Sequence, residues 1–197
     1  MLVEPFIPFL LLAFALFTTP GPATLSIAAS GAAFGFSKTI YYILGLIVGM
    51  IIIFMMVALG LGLLFDQYQL VHILFQWVSL LYMLYLAYKI ATAPPLHTAR
   101  TKPLGSLQGI MLNLVNPKAY FAIITLVSQY TRPGEDYFLS FFVLMFWSMA
   151  FAFSANLVWA YGGTFIASKL SSDKVATKIN VGFAVLLVVS IVWTMFL

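Results

Sequence analysis

Long apolar runs separated by short polar stretches dominate the chain: Phe6–Phe17, Ile40–Phe65, Val71–Ala91, Phe138–Ile166 and Val181–Leu197. A helix needs roughly 20 mostly apolar residues to cross a bilayer core of about 30 Å, so several of these runs qualify as spans. They do not show the short alternating segments of a membrane β-barrel. The pattern predicts six hydrophobic segments. The first runs from Pro5 to about Phe36 and is broken at Thr18-Thr19-Pro20-Gly21-Pro22. The second covers about Thr39–Leu64 and the third Leu70–Ile90. A polar linker, Thr92–Pro103, precedes the fourth segment, about Leu104–Tyr130, which is broken at Asn116-Pro117. The fifth is Tyr137–Ser168 and the sixth about Val175–Leu197.

Composition agrees. Of 197 residues 63% are hydrophobic and 7% charged, where soluble domains carry about a quarter charged residues. The expected class is therefore an all-α integral membrane protein, with the lipid bilayer as its first partner. The N-terminus carries Glu4 and lacks the basic flank and cleavage site of a signal peptide, which predicts a retained first segment. There is no cysteine, which removes disulfides and thiolate metal sites.

Charge placement gives orientation. Lys38, then Lys89, Arg100 and Lys102, then Lys169, Lys174 and Lys178 fall in alternate connections, while the other side holds Arg132 against Glu135 and Asp136. Basic residues mark the cytoplasmic face, so the 92–103 linker is predicted cytoplasmic and both termini outside. This also explains the net charge of +4 without nucleic acid. Each half begins with a proline-broken segment, and Pro22 and Pro117 lie about half the chain apart. Three spans per half invert the second copy, which predicts two inverted three-helix repeats, 1–91 and 104–197. Interrupted segments at matching places in two halves point to a transporter site.

Gly21-Pro22 and Asn116-Pro117 read as helix starts, because proline suits the first helical position and Asn and Gly suit the cap before it. Each start is expected to expose amides, at Thr24 and Leu25 in one half and Ala119 and Tyr120 in the other. Such groups at membrane depth must line an enclosed cavity, and they suit a carboxylate. The alternative is a plain proline kink. Lys118 lies mid-segment and in a first helical turn, where the macrodipole disfavours a cation. No acid in a span offers a partner, so a substrate carboxylate or a mobile proton is expected there. A lysine snorkelling to the surface is the competing reading. Asn113 and Asn116 lie three apart and either bind substrate or join helices. Asn156, Trp159 and Tyr161 form a second polar-aromatic set, a composition more typical of an interface anchor. Gly45-x-x-x-Gly49 is a close-packing pair, with Gly60 and Gly62 in the same class, and such small residues predict a homodimer.

These stretches carry a resemblance. Thr19-Pro20-Gly21-Pro22, Gly45-x-x-x-Gly49, Leu81-Tyr82-Met83-Leu84-Tyr85-Leu86 and Gly109-x-x-x-Asn113-x-x-Asn116-Pro117-Lys118-Ala119 occur in order. Together they resemble the lysine-exporter (LysE-type) translocator family, notably its threonine and homoserine exporter (RhtB-like) branch. The resemblance implies six-helix exporters of amino acids or derivatives in the cytoplasmic (inner) membrane, driven by proton antiport. It also implies that Pro20, Gly21, Pro22, Asn116, Pro117 and Lys118 belong to the substrate site, to which Thr24, Asn113 and Asn156 are added from their chemistry. Two positions depart: Met50 stands where many members have an acid, and Ser128 where proline is common. Met50 removes a group that a proton or a cationic substrate would use.

Enzyme chemistry finds little support. His72 and His97 lie at a segment edge and in the linker, and no Ser/His or paired-carboxylate set occurs within a span. No metal site or cofactor is expected. A non-transporting membrane scaffold is the alternative function.

Overall fold

The computed structural model describes residues 6–60, 67–93, 102–131, 134, 136–169 and 173–196. All regular structure among them is helical: α1 Phe6–Thr18, α2 Pro22–Phe34, α3 Phe36–Ala58, α4 Gln69–Ala91, α5 Ser106–Leu114, α6 Pro117–Tyr130, α7 Tyr137–Ser168 and α8 Asp173–Phe196. Gly62, His97 and Arg132 lie outside the described residues.

Helices α3, α4 and α7 are each long and apolar enough to cross a membrane. The pairs α1–α2 and α5–α6 pass the same test if each is taken as one bent span, which raises the number to five. The apolar stretch Thr177–Trp193 of α8 is shorter. At about 1.5 Å per residue, the 32 residues of α7 exceed the thickness of the hydrocarbon core. Large apolar side chains such as Leu11, Trp77, Phe146 and Val158 point away from the bundle, as a lipid environment requires.

Both expected breaks are present. The chain bends by 55° between α1 and α2 and by 68° between α5 and α6. Each second piece starts with proline, behind Gly21 in one case and Asn116 in the other. One boundary differs from the sequence expectation. The first segment ends at Phe34, and α3 begins at Phe36, with Gly35 alone between them. Gly35 has φ 84°, a conformation glycine adopts without steric cost. The Thr39 hydroxyl then donates to its carbonyl at 2.9 Å, satisfying the elbow.

Two close crossings hold the bundle. Gly45 and Gly49 of α3 lie against Ser106, Ile110 and Asn113 of α5, while Gly109 lies against the backbone of Tyr42 and Leu46. Gly31 of α2 and Gly163 of α7 abut the carbonyls of Ala160 and Ala28 in turn. A Cβ at Gly31, Gly45, Gly109 or Gly163 would collide with backbone, which cannot yield. The Gly45–Gly49 pair is thus used inside the chain and offers no surface to a second copy. Two apolar clusters surround these crossings. One centres on α2 and includes Ile27, Leu46, Leu86 and Leu187; the other joins Phe9, Phe54, Ile123, Phe141 and Leu144.

Gly45→Val should lower the thermal midpoint of the detergent-solubilised protein, since overpacking costs about 1–3 kcal/mol. Gly162→Ala is the matched control, because nothing lies within 4 Å of its added carbon. Equal midpoints for the two variants would contradict direct backbone contact between α3 and α5.

Candidate functional site

The two breaks meet. Thr19, Gly21, Ala23 and Thr24 from the first and Asn113, Asn116, Lys118 and Ala119 from the second line one cavity of about 60 Å³. Met50 of α3 and Ala152 and Asn156 of α7 complete its polar and mixed face, with Leu46, Phe17 and Ile123 among its apolar walls. The cavity lies where the two apolar clusters adjoin, since Leu46 belongs to one and Met50, Ile123 and Ala152 to the other.

Each helix start is built by its own sequence. The Asn116 side chain accepts from the Lys118 amide at 3.2 Å, an N-cap that fixes the first turn of α6. At the other start, the Gly21 amide donates to the Thr24 hydroxyl at 2.9 Å and that hydroxyl donates to the Gly21 carbonyl. The amides expected to be exposed are partly engaged. Leu25 donates to the Gly21 carbonyl at 2.9 Å, and Ala119 to the Asn116 carbonyl at 3.0 Å. Leu25 therefore belongs to the helix ladder, one residue later than the exposed group. The amides of Ala23 and Thr24, at the positive end of α2, have no acceptor among the described residues.

Lys118 joins the halves. Its Nζ donates to the Thr19 carbonyl at 2.8 Å and lies 3.4 Å from the Pro20 carbonyl. These are the carbonyls beyond the last turn of α1, which a helix end leaves unpaired. A cation is favourable there, at the negative end of the α1 dipole. The partner expected for Lys118 was a substrate group or a proton; the structure supplies backbone oxygens from the opposite break. The ammonium also runs against Gly21, where an added Cβ would stand 3.1 Å from Nζ. The lysine is thereby held within the bundle, away from the snorkelling course.

The asparagines differ in role. Asn113 donates to the Leu46 carbonyl at 2.6 Å, tying α5 to α3 at their glycine crossing. Asn156 is 8% exposed and its amide has no hydrogen bond among the described residues. The set Asn156, Trp159 and Tyr161 divides: Asn156 faces the cavity, Trp159 packs on the α2-centred cluster and Tyr161 points outward. Pro20, Pro22 and Pro117 are not among the lining residues; lacking an N–H, they shape the backbone around the cavity. Thr19 and Ala152 line it without having been singled out. Thr19 contributes through its carbonyl, for which the Thr18–Pro22 interruption was the signal. Nothing in the sequence marks Ala152. No group of three or more metal-ligating side chains occurs among the described residues.

A family model described as LysE type translocator matches residues 14–192. The chain belongs to that family. Its members move solutes across membranes, so this is a multi-pass membrane transport protein and not an enzyme. A cysteine/O-acetylserine efflux protein of Salmonella choleraesuis (strain SC-B67) is 33% identical over 133 residues, covering 64% of this chain and 68% of that protein. The protein of the same description from Escherichia coli O1:K1 is 29% identical over 117 residues, covering 58% of this chain and 60% of that one. An uncharacterized membrane protein of Vibrio cholerae serotype O1 is 24% identical over 188 residues, covering 90% of both. No solved structure matches the chain. The matched residues include both breaks and all the residues that line the cavity between them.

Loss of the cap should be measurable. Asn116→Ala is expected to lower stability by about 1 kcal/mol, the usual worth of such an N-cap. A thermal midpoint unchanged from wild type would show that α6 starts without help from the Asn116 side chain.

Proposed function

We propose that the chain exports small, net-neutral amino acids or close derivatives across the cytoplasmic (inner) membrane, binding them in the cavity between the two broken helices. The observation that carries this reading is the Lys118 bridge: a half-buried cation in the same cavity as two uncommitted helix amides, with no acidic residue among the described lining residues. An ammonium has three donors, and the Thr19 and Pro20 carbonyls engage two. The third donor and the amides of Ala23 and Thr24 suit a carboxylate. Amide oxygens of Asn113 and Asn156 suit the substrate's ammonium. A cationic side chain would meet Lys118 with nothing to neutralise it, which disfavours lysine-like substrates. Size agrees, because about 60 Å³ accommodates a handful of waters at roughly 10–15 Å³ each. The efflux proteins among the relatives carry cysteine and O-acetylserine by name, both small and neutral overall.

The substrate-binding set of this reading is Pro20, Gly21, Pro22, Thr24, Asn113, Asn116, Pro117, Lys118 and Asn156, with the three prolines acting through backbone shape. Matched breaks support two inverted repeats of three spans, 1–91 and 104–197, joined by a cytoplasmic 92–103 linker. α8 would then supply the sixth span. Proton antiport places the coupling proton on Lys118, the one titratable side chain among the described residues that line the cavity. Loss of its proton would release the Thr19 and Pro20 carbonyls and loosen the first break, linking charge to shape.

Inverted vesicles containing the protein should take up labelled cysteine or O-acetylserine and not lysine. Lys118→Met should fold, keep its thermal midpoint within a few degrees and lose at least about ten-fold in uptake. Lys118→Arg should also be poor, because a planar fork does not replace a compact ammonium. Normal uptake by Lys118→Met would sink the assignment of the cation. Collapse of the pH gradient should slow uptake by wild type, and indifference to the gradient would rule out proton antiport.

A further inference from the structure

Helix α7 carries a second uncommitted polar group. Ser148 is 0% exposed, and its hydroxyl has no hydrogen-bond partner among the described residues. Helical serines and threonines usually fold back on a carbonyl of the preceding turn, and the buried ones here find partners. Ser79 and Ser140 donate to Phe75 and Tyr137, Ser26 pairs with Tyr42 and Ser30 with Thr39. Ser148 is the exception among the described residues. A buried hydroxyl left unpaired destabilises the resting fold, so its presence needs an explanation outside that fold.

Its position supplies one. Ser148, Ala152 and Asn156 follow one another at intervals of four on the buried stripe of α7, and residues at this spacing share a helix face. Ala152 and Asn156 line the cavity, and Asn156 likewise has no side-chain hydrogen bond among the described residues. At about 1.5 Å per residue, Ser148 sits roughly 12 Å from Asn156 toward the start of α7. That start follows the connection in which Arg132 stands against Glu135 and Asp136, which the charge rule assigns to the outside. Phe141 and Leu144 of the same stretch belong to the apolar cluster that also holds Phe9, Phe54 and the cavity-lining Met50, Ile123 and Ala152.

We propose that Ser148 lies on the release path of the exporter, offering the substrate a hydrogen bond as it leaves Asn156 and passes the apolar cluster to the outer face. The proposal rests on the export reading and adds to it a residue that acts after binding. In this structure the hydroxyl has no partner among the described residues; during release the substrate's carboxylate or ammonium provides one. The residue would act on departure from the cavity more than on affinity within it.

The test uses the full-length protein in vesicles. Ser148→Ala should fold with an unchanged or raised thermal midpoint, retain the midpoint increase given by cysteine or O-acetylserine, and export three- to ten-fold more slowly. A lowered midpoint with slowed export would make the residue structural and overturn the proposal, as would wild-type export. The chain has no native cysteine, so Ser148→Cys supplies a single thiol. A membrane-impermeant thiol reagent, applied from outside with O-acetylserine as substrate, should label it at least several-fold faster during turnover than at rest. Equal rates, or labelling from the cytoplasmic side alone, would remove Ser148 from the release path. Failure of the export reading looks different: wild type itself would neither bind nor move the amino acids.

Discussion

The hydrogen bond from the Lys118 ammonium to the Thr19 carbonyl, 2.8 Å long, is the contact on which the site depends. It resolves two local problems at once. The end of α1 leaves carbonyls without helical partners, and the start of α6 carries a cation where its own dipole opposes one. Each problem supplies the other's answer. Because the partners come from opposite halves of the sequence, the contact also fixes the two breaks side by side. Gly21 permits the approach, since the lysine passes through the space a side chain would fill.

Around that contact, stiffness is distributed unevenly. The α3–α5 and α2–α7 crossings bring backbone against backbone through glycine, and Asn113 and Thr164 reinforce them with hydrogen bonds to Leu46 and Gly31. In the second apolar cluster, α1 meets α6 and the first half of α7 through aromatic side chains, Phe9 against Tyr130 and Phe6 against Trp147. Rings change rotamer more readily than packed backbones separate.

Much of this was legible in the sequence. Apolar run lengths gave the long helices, and Gly21-Pro22 and Asn116-Pro117 gave both breaks to the residue, because proline and its cap impose local rules that tertiary structure does not override. Lys118 stood out because a cation in an apolar segment has few explanations. The elbow at Gly35 was not legible, since a single glycine with positive φ resembles any other glycine in an apolar run. The partner of Lys118 was missed for a related reason: backbone carbonyls have no letter in the sequence. Asn156 was separable from Trp159 and Tyr161 by helix rotation alone, which composition does not reveal. Gly45-x-x-x-Gly49 signalled close packing correctly, yet whether a small-residue pair faces its own chain or a second copy depends on the fold around it.

The two broken helices are proposed to form one anion-recognising site around Lys118. A structure determined with bound cysteine or O-acetylserine tests it most directly. The substrate carboxylate should lie within hydrogen-bond distance of the Lys118 ammonium and of the Ala23 or Thr24 amide. A substrate bound elsewhere, or bound in this cavity with its carboxylate turned away from both, would contradict it.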